Sequence, residues 1–211
     1  MKARGKSTDG LVSRYLNRRV STLISNYILS RGCKPSPNKL TIIFFLFSLL
    51  APAFYIYGHA RIAGVIVQAS SILDGVDGEI ARATGACSRR GAFLDSMIDR
   101  FTNILFITSA SVYLLQYSSM DPLVVLVASL SCLAGDILVS YIHSKAKETL
   151  GVHPALVGSF PYIASRDVRL FILFIASVAN EVLAGLVVIA VLSIVYTIAK
   201  TIECFTTVGR S

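Results

Sequence analysis

Asp74-Gly-Val-Asp77-Gly78-Glu-Ile-Ala81-Arg82, then eight residues, then Gly91-Ala-Phe-Leu-Asp95-Ser-Met-Ile-Asp99, is set inside long apolar sequence. Each ionisable group within a transmembrane segment costs at least a few kcal/mol. Four carboxylates on two adjacent segments therefore need a compensating partner. Oxygen ligands of this kind suit a hard divalent cation, and carboxylate-held cations commonly serve phosphate chemistry.

The surrounding chain supports a membrane setting. It has 211 residues, a mean hydropathy of +0.67, and 54% hydrophobic against 15% charged residues. That balance is too apolar for an ordinary soluble domain and predicts an all-α, polytopic membrane protein. Six apolar segments are readable, at 38–57, 60–84, 91–117, 122–144, 168–179 and 182–200. The long ones approach the ~20 residues needed to cross a ~30 Å hydrocarbon core. The fifth is short and borrows its ends from Arg166 and Asn180. Helices are required, because an open sheet edge in lipid leaves backbone groups unpaired. The expected domain layout is a cytoplasmic N-terminal segment over 1–37, a six-helix membrane domain over 38–203 and a short cytoplasmic tail over 204–211.

Charge placement orients these spans. Eighteen of the twenty Lys and Arg residues fall on one side: nine before the first span (Lys2, Arg4, Lys6, Arg14, Arg18, Arg19, Arg31, Lys34, Lys39), three near the turn after the second (Arg82, Arg89, Arg90), four after the fourth (Lys145, Lys147, Arg166, Arg169), and Lys200 and Arg210 at the end. Arg61 alone marks the other side, and Arg100 lies within span three. The asymmetry places both termini in the cytoplasm of a cell membrane. It also accounts for the net charge of +8 without a nucleic-acid partner. The basic N-terminus lacks the apolar core of a cleavable signal. The four cysteines, Cys33, Cys87, Cys132 and Cys204, show no CxxC spacing and read as reduced structural residues. Leu11, Tyr15, Leu16, Val20, Leu23, Ile24, Tyr27 and Ile28 recur at helical spacing with Arg14, Arg18 and Arg19 between them. This predicts an amphipathic juxtamembrane helix, ended by Pro35 and Pro37.

Spans two and three should run antiparallel around the turn at 85–90. At 1.5 Å per residue, Asp77 and Asp74 lie about 10 and 15 Å in from the cytoplasmic mouth, and Asp95 and Asp99 about 6 and 12 Å. Facing agrees as well. Asp74 and Asp77 are i and i+3, while Gly91, Asp95 and Asp99 are i, i+4 and i+8. Small residues at Gly78, Ala81 and Gly91 admit a close helix or a ligand. The expected ligand is Mg²⁺, two ions per site balancing four charges, with Mn²⁺ as the alternative. A two-metal carboxylate site suits displacement at phosphorus. Arg82 is placed to hold a phosphate oxygen. A lone intramembrane aspartate reads as a structural ion pair; four at matched depth do not. A cation or proton pathway also uses such acids. Clustering near one mouth, rather than along a pore, counts against it.

Asp74-x-x-Asp77-Gly78-x-x-Ala81-Arg82, eight residues, Gly91-x-x-x-Asp95-x-x-x-Asp99 resembles the full signature of the CDP-alcohol phosphotransferases, eight positions over 26 residues. The resemblance implies six transmembrane helices with an N-terminal juxtamembrane helix, typically as a homodimer. It implies a CDP-linked donor that loses CMP while its substituted phosphate passes to an acceptor hydroxyl. Asp74, Asp77, Asp95 and Asp99 would hold the metals, with Asp99 also the general base. Gly78, Ala81, Arg82 and Gly91 would line the cytidine diphosphate site. Asn38, in Pro37-Asn38-x-x-Thr41, resembles a family position near the diphosphate, though an ordinary N-cap role also fits it. Lys145, Lys147, Arg166 and Arg169 are the candidates for an acceptor phosphate, against a plain role as positive-inside anchors. Two roles are open to Asp136, a bond to an acceptor hydroxyl and a pair with Arg100.

Two further stretches, Asp9-Gly10-Leu-Val-Ser13-Arg14-Tyr15-Leu-Asn17-Arg18 and Arg166-Asp-Val-Arg169-Leu-Phe, are similar to the membrane domain of di-myo-inositol phosphate phosphate synthases. Those use CDP-inositol and inositol 1-phosphate and often carry a fused cytidylyltransferase domain; nothing before residue 38 resembles one. Phospholipid synthases using CDP-diacylglycerol or CDP-archaeol with inositol phosphate or glycerol phosphate are the close rivals.

Overall fold

The computed structural model describes residues 10–32 and 35–208, so expectations placed on Lys2, Arg4, Lys6, Asp9, Cys33, Lys34 and Arg210 lie outside the described residues. All regular structure among the described residues is helical. A π-helical turn, Ser13–Asn17, runs into α1 (Arg18–Ser30). There follow α2 (Pro37–Ser48), α3 (Leu50–Ile56), α4 (Ala60–Thr84), α5 (Arg89–Tyr117), α6 (Pro122–Leu150), a short 3₁₀ turn at Pro154–Leu156, α7 (Arg166–Val178) and α8 (Val182–Val208).

Several ends differ from the sequence expectation for readable reasons. The first span breaks at Leu49 into α2 and α3. Pro52 has no N–H for the Ser48 carbonyl, and the Ser48 hydroxyl turns back to Phe45 O at 2.6 Å. Helix α6 continues past Ser144 to Leu150 and stops at Gly151, φ +68. Lys145 and Lys147 therefore ride on a helix rather than in a loop. Helix α8 continues past Lys200 into the stretch expected to be tail.

Among the described residues three stretches, Pro37–Ile56, Pro122–Leu150 and Val182–Thr207, are long and apolar enough to cross a membrane. Helices α4 and α5 are long, but one half of each carries the charged signature; α7 is short at 13 residues. Exposed Leu123, Val124, Val127, Leu130, Val187, Val191 and Val195 give α6 and α8 apolar outer faces, as expected of a membrane protein.

Helix α4 is the hub, packed by α1, α2, α3 and α7, while α6 and α8 lie along one another. Close contacts rest on missing side chains. A Cβ on Gly64 would sit 2.6 Å from Ser177 Cβ, one on Gly135 2.8 Å from Ser193 Cβ, and one on Gly185 2.4 Å from Ala176 Cβ. These are small-residue contacts of the kind that draw helices together without a water-driven force. The core, away from the charged end, packs Tyr55, Ala63, Val67, Phe106, Ala110, Leu173 and Leu186.

Helix α1 inverts the usual arrangement of a soluble protein. Its polar face and that of the turn before it are inward: Asn17, Ser21 and Ser25 are buried, while Leu11, Tyr15, Leu16, Val20, Leu23 and Tyr27 are exposed. The inward anchor is Glu79 of α4, itself fully buried. It accepts from Arg18 at 2.9 Å, Ser21 at 2.8 Å, Thr22 at 3.3 Å and Ser25 at 2.8 Å. A buried carboxylate so fully bonded is retained where an unpaired one would be strongly destabilising.

Candidate functional site

The charged half of α4 faces the charged half of α5, yet the two helices scarcely touch. They splay from the turn between them. Gly85, φ +70, ends α4, and Ser88 caps α5 by accepting from Gly91 N at 3.0 Å. The gap is bridged by side chains instead. Carboxylate oxygens of Asp74, Asp95 and Asp99 all lie within 4.8 Å of one another. Arg166, the first residue of α7, pairs with Asp74 at 2.8 Å and Asp99 at 2.9 Å. Asp77 stands beside this trio, only 5% exposed. It accepts from the Thr41 hydroxyl and from Gly78 N. So three of the four predicted ligands form one cluster, and the fourth is held at its edge by α2.

The cluster is backed by a second polar layer. Arg166 Nε donates to Asn103 Oδ1 at 3.1 Å, and Asn103 Nδ2 donates to Asp136 Oδ1 at 2.9 Å. Asp136 also pairs with Arg169 at 3.1 Å and, more loosely, with Arg100 at 3.8 Å. The pairing with Arg100 was one of the two roles open to Asp136. Arg169 is 3% exposed and lies behind the cleft. The exposed Lys145 pairs with Glu148 at 3.1 Å, and Lys147 is likewise exposed. Of the four predicted acceptor-phosphate residues, only Arg166 lines the cleft.

Two sizeable cavities open on the cluster, beside a small one of about 20 Å³ lined by Thr41, Asp74, Asp77 and Arg166. The first, about 240 Å³, lies between α2, α4 and α5. All five residues predicted for cytidine diphosphate, Asn38, Gly78, Ala81, Arg82 and Gly91, line it. Gly91 widens it there: a Cβ would meet Asn38 Oδ1 at 2.8 Å and push it aside. The buried Nε and Nη2 of Arg82 have no protein hydrogen-bond partner, which leaves them free for an oxyanion. The second is a polar cleft of about 360 Å³. It is walled by Ser13, Asn17 and Arg18 at the N-terminus, by Asp74, Asp95 and Asp99, and by His153, Tyr162, Arg166 and Asp167. Asp77, Gly78, Arg82 and Asp95 line both cavities.

The cleft brings together the two stretches flagged as similar to the inositol-phosphate enzymes: Ser13 N donates to Asp167 Oδ2 at 2.5 Å. His153 and Tyr162 were missed, because a loop histidine and tyrosine carry no spacing signal. Burial lowers the His153 imidazole below its ordinary range, helped by Lys147, and raises the Tyr162 phenol to about 12. Both are neutral at pH 7. Glu79 and Asn103 were also unassigned, although a polar residue within an apolar helix is itself the signal.

Residues 35–202 match the CDP-alcohol phosphatidyltransferase family. The chain belongs to that family. Curated relatives include the bifunctional IPC transferase and DIPP synthase of Aquifex aeolicus, 33% identical over 187 residues, covering 88% of this chain and 42% of that protein. The Archaeoglobus fulgidus protein of the same name is 39% identical, over 80% of this chain and 32% of its own length. The chain thus spans less than half the length of these bifunctional relatives. Archaetidylinositol phosphate synthase of Pyrococcus horikoshii is 38% identical, covering 80% of this chain and 82% of that one. Among solved structures, phosphatidylinositol phosphate synthase of Mycobacterium tuberculosis with CDP-DAG bound shares the fold, with a TM-score of 0.72 at 24% identity over 89% of this chain and 94% of that one.

Proposed function

We propose that this protein transfers a substituted phosphate from a CDP-linked donor to an alcohol acceptor, releasing CMP. The observation that carries this is the pair of cavities joined at Asp77, Gly78, Arg82 and Asp95. One has the signature residues on its wall and a free guanidinium edge; the other is polar and opens beside Asp99. A donor in the first and an acceptor in the second would meet at the carboxylates.

The carboxylate trio fits a hard divalent cation, because its ligands are all oxygen and lie close enough to share an ion. Asp74, Asp77, Asp95 and Asp99 would hold Mg²⁺, with two ions matching four charges and Mn²⁺ as a substitute. Such ions supply charge neutralisation at the phosphoryl oxygens. Arg82 binds a diphosphate oxygen. Asp99, on the cleft wall, takes the proton of the attacking hydroxyl. Arg166 sits one bond from both Asp74 and Asp99, so an acceptor phosphate that engages its guanidinium is held beside the base.

The donor that fits best is CDP-inositol and the acceptor inositol 1-phosphate, supported by the bifunctional relatives and by the contact between Ser13 and Asp167. A second reading, a phospholipid synthase taking CDP-diacylglycerol or CDP-archaeol, is favoured by the archaetidylinositol phosphate synthase that this chain matches over most of both lengths. Six spans are proposed, adding α4, α5 and α7 to the three apolar ones. Helix α1 lies at the cytoplasmic interface with its exposed apolar stripe in lipid. Its inward polar face supports this. Both termini and the cleft mouth face the cytoplasm of the cell membrane, and the protein works as a homodimer.

The test is CMP release by purified protein with Mg²⁺. CDP-inositol, CDP-diacylglycerol and CDP-archaeol are crossed against inositol, inositol 1-phosphate and glycerol phosphate. Release with one pair identifies the substrates. No release from any pair, together with saturable cation flux in liposomes, would replace the enzyme with a cation pathway.

A further inference from the structure

Near the end of α8 an ion pair serves neither cavity. Lys200 is 0% exposed, and its Nζ donates to Val157 O at 2.7 Å and to Glu203 Oε2 at 2.7 Å. The other oxygen of Glu203 accepts from two successive backbone amides, Ser159 N at 2.8 Å and Phe160 N at 2.7 Å. Gly158, between Val157 and Ser159, has φ +67, and a Cβ there would stand 2.2 Å from Glu203 Cδ. Four consecutive residues, 157–160, are thus wrapped around two charged side chains. Burying an ammonium group is costly unless its bonds are satisfied. Here it bonds to one loop carbonyl, Val157 O, and to Glu203 on its own helix.

The loop so held carries two cleft residues, one on each side of the clamp. His153 comes five residues before Gly158 and Tyr162 four after, and both line the polar cleft with Asp74, Asp99 and Arg166. Apolar packing supports the same arrangement: Val157 packs with Ala146 and Cys204, and Phe160 and Tyr162 with Val139 and Tyr196. The donor cavity, walled by α2, α4 and α5, has no contact with this loop.

The geometry points to Lys200 and Glu203 as positioning residues that set the acceptor side of the cleft by holding His153 and Tyr162 in place. This rests on the two-cavity reading of the proposed function. The clamp then acts on one substrate only: it sets acceptor affinity and leaves the donor site alone. Glu203 touches no reacting atom in this scheme.

The experiment uses the full chain with the substrate pair that wild type turns over, CDP-inositol and inositol 1-phosphate being tried first. Glu203→Ala should raise the acceptor KM about tenfold or more, since two backbone bonds to a charged group are lost together. Donor KM should stay within about twofold. Glu203→Gln keeps an oxygen for both amides but gives up the ion pair with Lys200, so it should recover part of the acceptor affinity; it also serves if the alanine variant fails to fold. Hydrogen exchange over 152–164 is read in parallel. Faster exchange in Glu203→Ala with an unchanged acceptor KM would overturn the assignment, as would equal rises in both KM values. No transfer by wild type from any pair would overturn the proposed function, and the clamp's role with it.

Discussion

The cavity proposed for the donor and the cleft proposed for the acceptor share four residues but are built in opposite ways. The first is almost local: α4, a four-residue turn and α5 supply most of it, with α2 closing one side. The second draws on the N-terminal turn, α4, α5, the loop after α6, and α7, positions as far apart as Gly10 and Asp167. The first is held by small residues and two helix ends. The second is held by ion pairs and by a buried carboxylate that anchors α1. A local site can keep its form while a dispersed one is rebuilt, so the donor group should be the common element and the acceptor the variable one.

The largest break in this contrast should come where the two halves meet. Asp99→Asn keeps the side-chain size but removes the proton acceptor. Turnover should fall by about a thousandfold, within the range of general-base loss. Donor affinity, measured by equilibrium binding of the CDP-linked donor, should change little. An equal loss of both would assign Asp99 to binding alone.

The same contrast explains what the sequence made legible. Spacing alone grouped Asp74, Asp77, Asp95 and Asp99, because a helix converts spacing into facing. The family resemblance assigned Gly78, Ala81, Arg82 and Gly91 to one site, and those residues do line one cavity. The splay of α4 from α5 was not readable, since glycines that admit a ligand look like glycines that admit a helix. Lys145 and Lys147 were drawn in by charge, and Arg169 by its one-turn spacing from Arg166 and the resemblance of that stretch. Charge near a membrane edge has two uses, and only a fold separates Arg166, on the cleft wall, from Arg169, turned onto Asp136. The kink at Leu49 had a visible cause in Pro52, but its effect on span one depends on which partner the freed Ser48 carbonyl region finds.

Arg166→Ala sharpens the comparison from the acceptor side. Loss of a charge-assisted contact corresponds to about 1.5–3 kcal/mol, or roughly ten- to a hundredfold in affinity. The apparent KM for a phosphorylated acceptor should rise by that factor, and donor KM should not. A matching loss for inositol and inositol 1-phosphate would leave the guanidinium as a spacer between Asp74 and Asp99, with no phosphate to hold.

Gly91→Ala is the corresponding change on the donor side and should be milder. Its methyl group would crowd the Asn38 amide and the Ser88 hydroxyl, at 2.8 and 3.0 Å. Both are side-chain ends, so they can shift by a few tenths of an ångström at the cost of cavity width. Donor KM should rise several-fold (roughly three- to tenfold, about 1 kcal/mol) with acceptor KM unchanged. If both rise together, the cavities are mechanically coupled through α5, and the separation between a local and a dispersed half is weaker than the wall residues imply.

The smallest effect concerns protons. Burial disfavours the charged form of His153, so its imidazole titrates below the unfolded value near 6.5. Above that value both states are neutral and the residue contributes no pH dependence. As pH falls through about 6.5 the unfolded chain takes up the proton first, so folded stability declines until the lowered folded value is reached. The slope cannot exceed that of about one proton. The thermal midpoint of wild type in detergent should therefore fall more between pH 7 and 5 than that of His153→Gln, which carries no titrating group there. Rings of His143 and Tyr162 stand 4.7 and 6.1 Å from that of His153, so charging it also disturbs the aromatic cluster behind the acceptor cleft. The acceptor KM should begin to rise only at lower pH, where the folded imidazole itself takes up the proton, while donor KM stays flat. Parallel pH profiles for the two substrates would mean that the loop does not belong to the acceptor half.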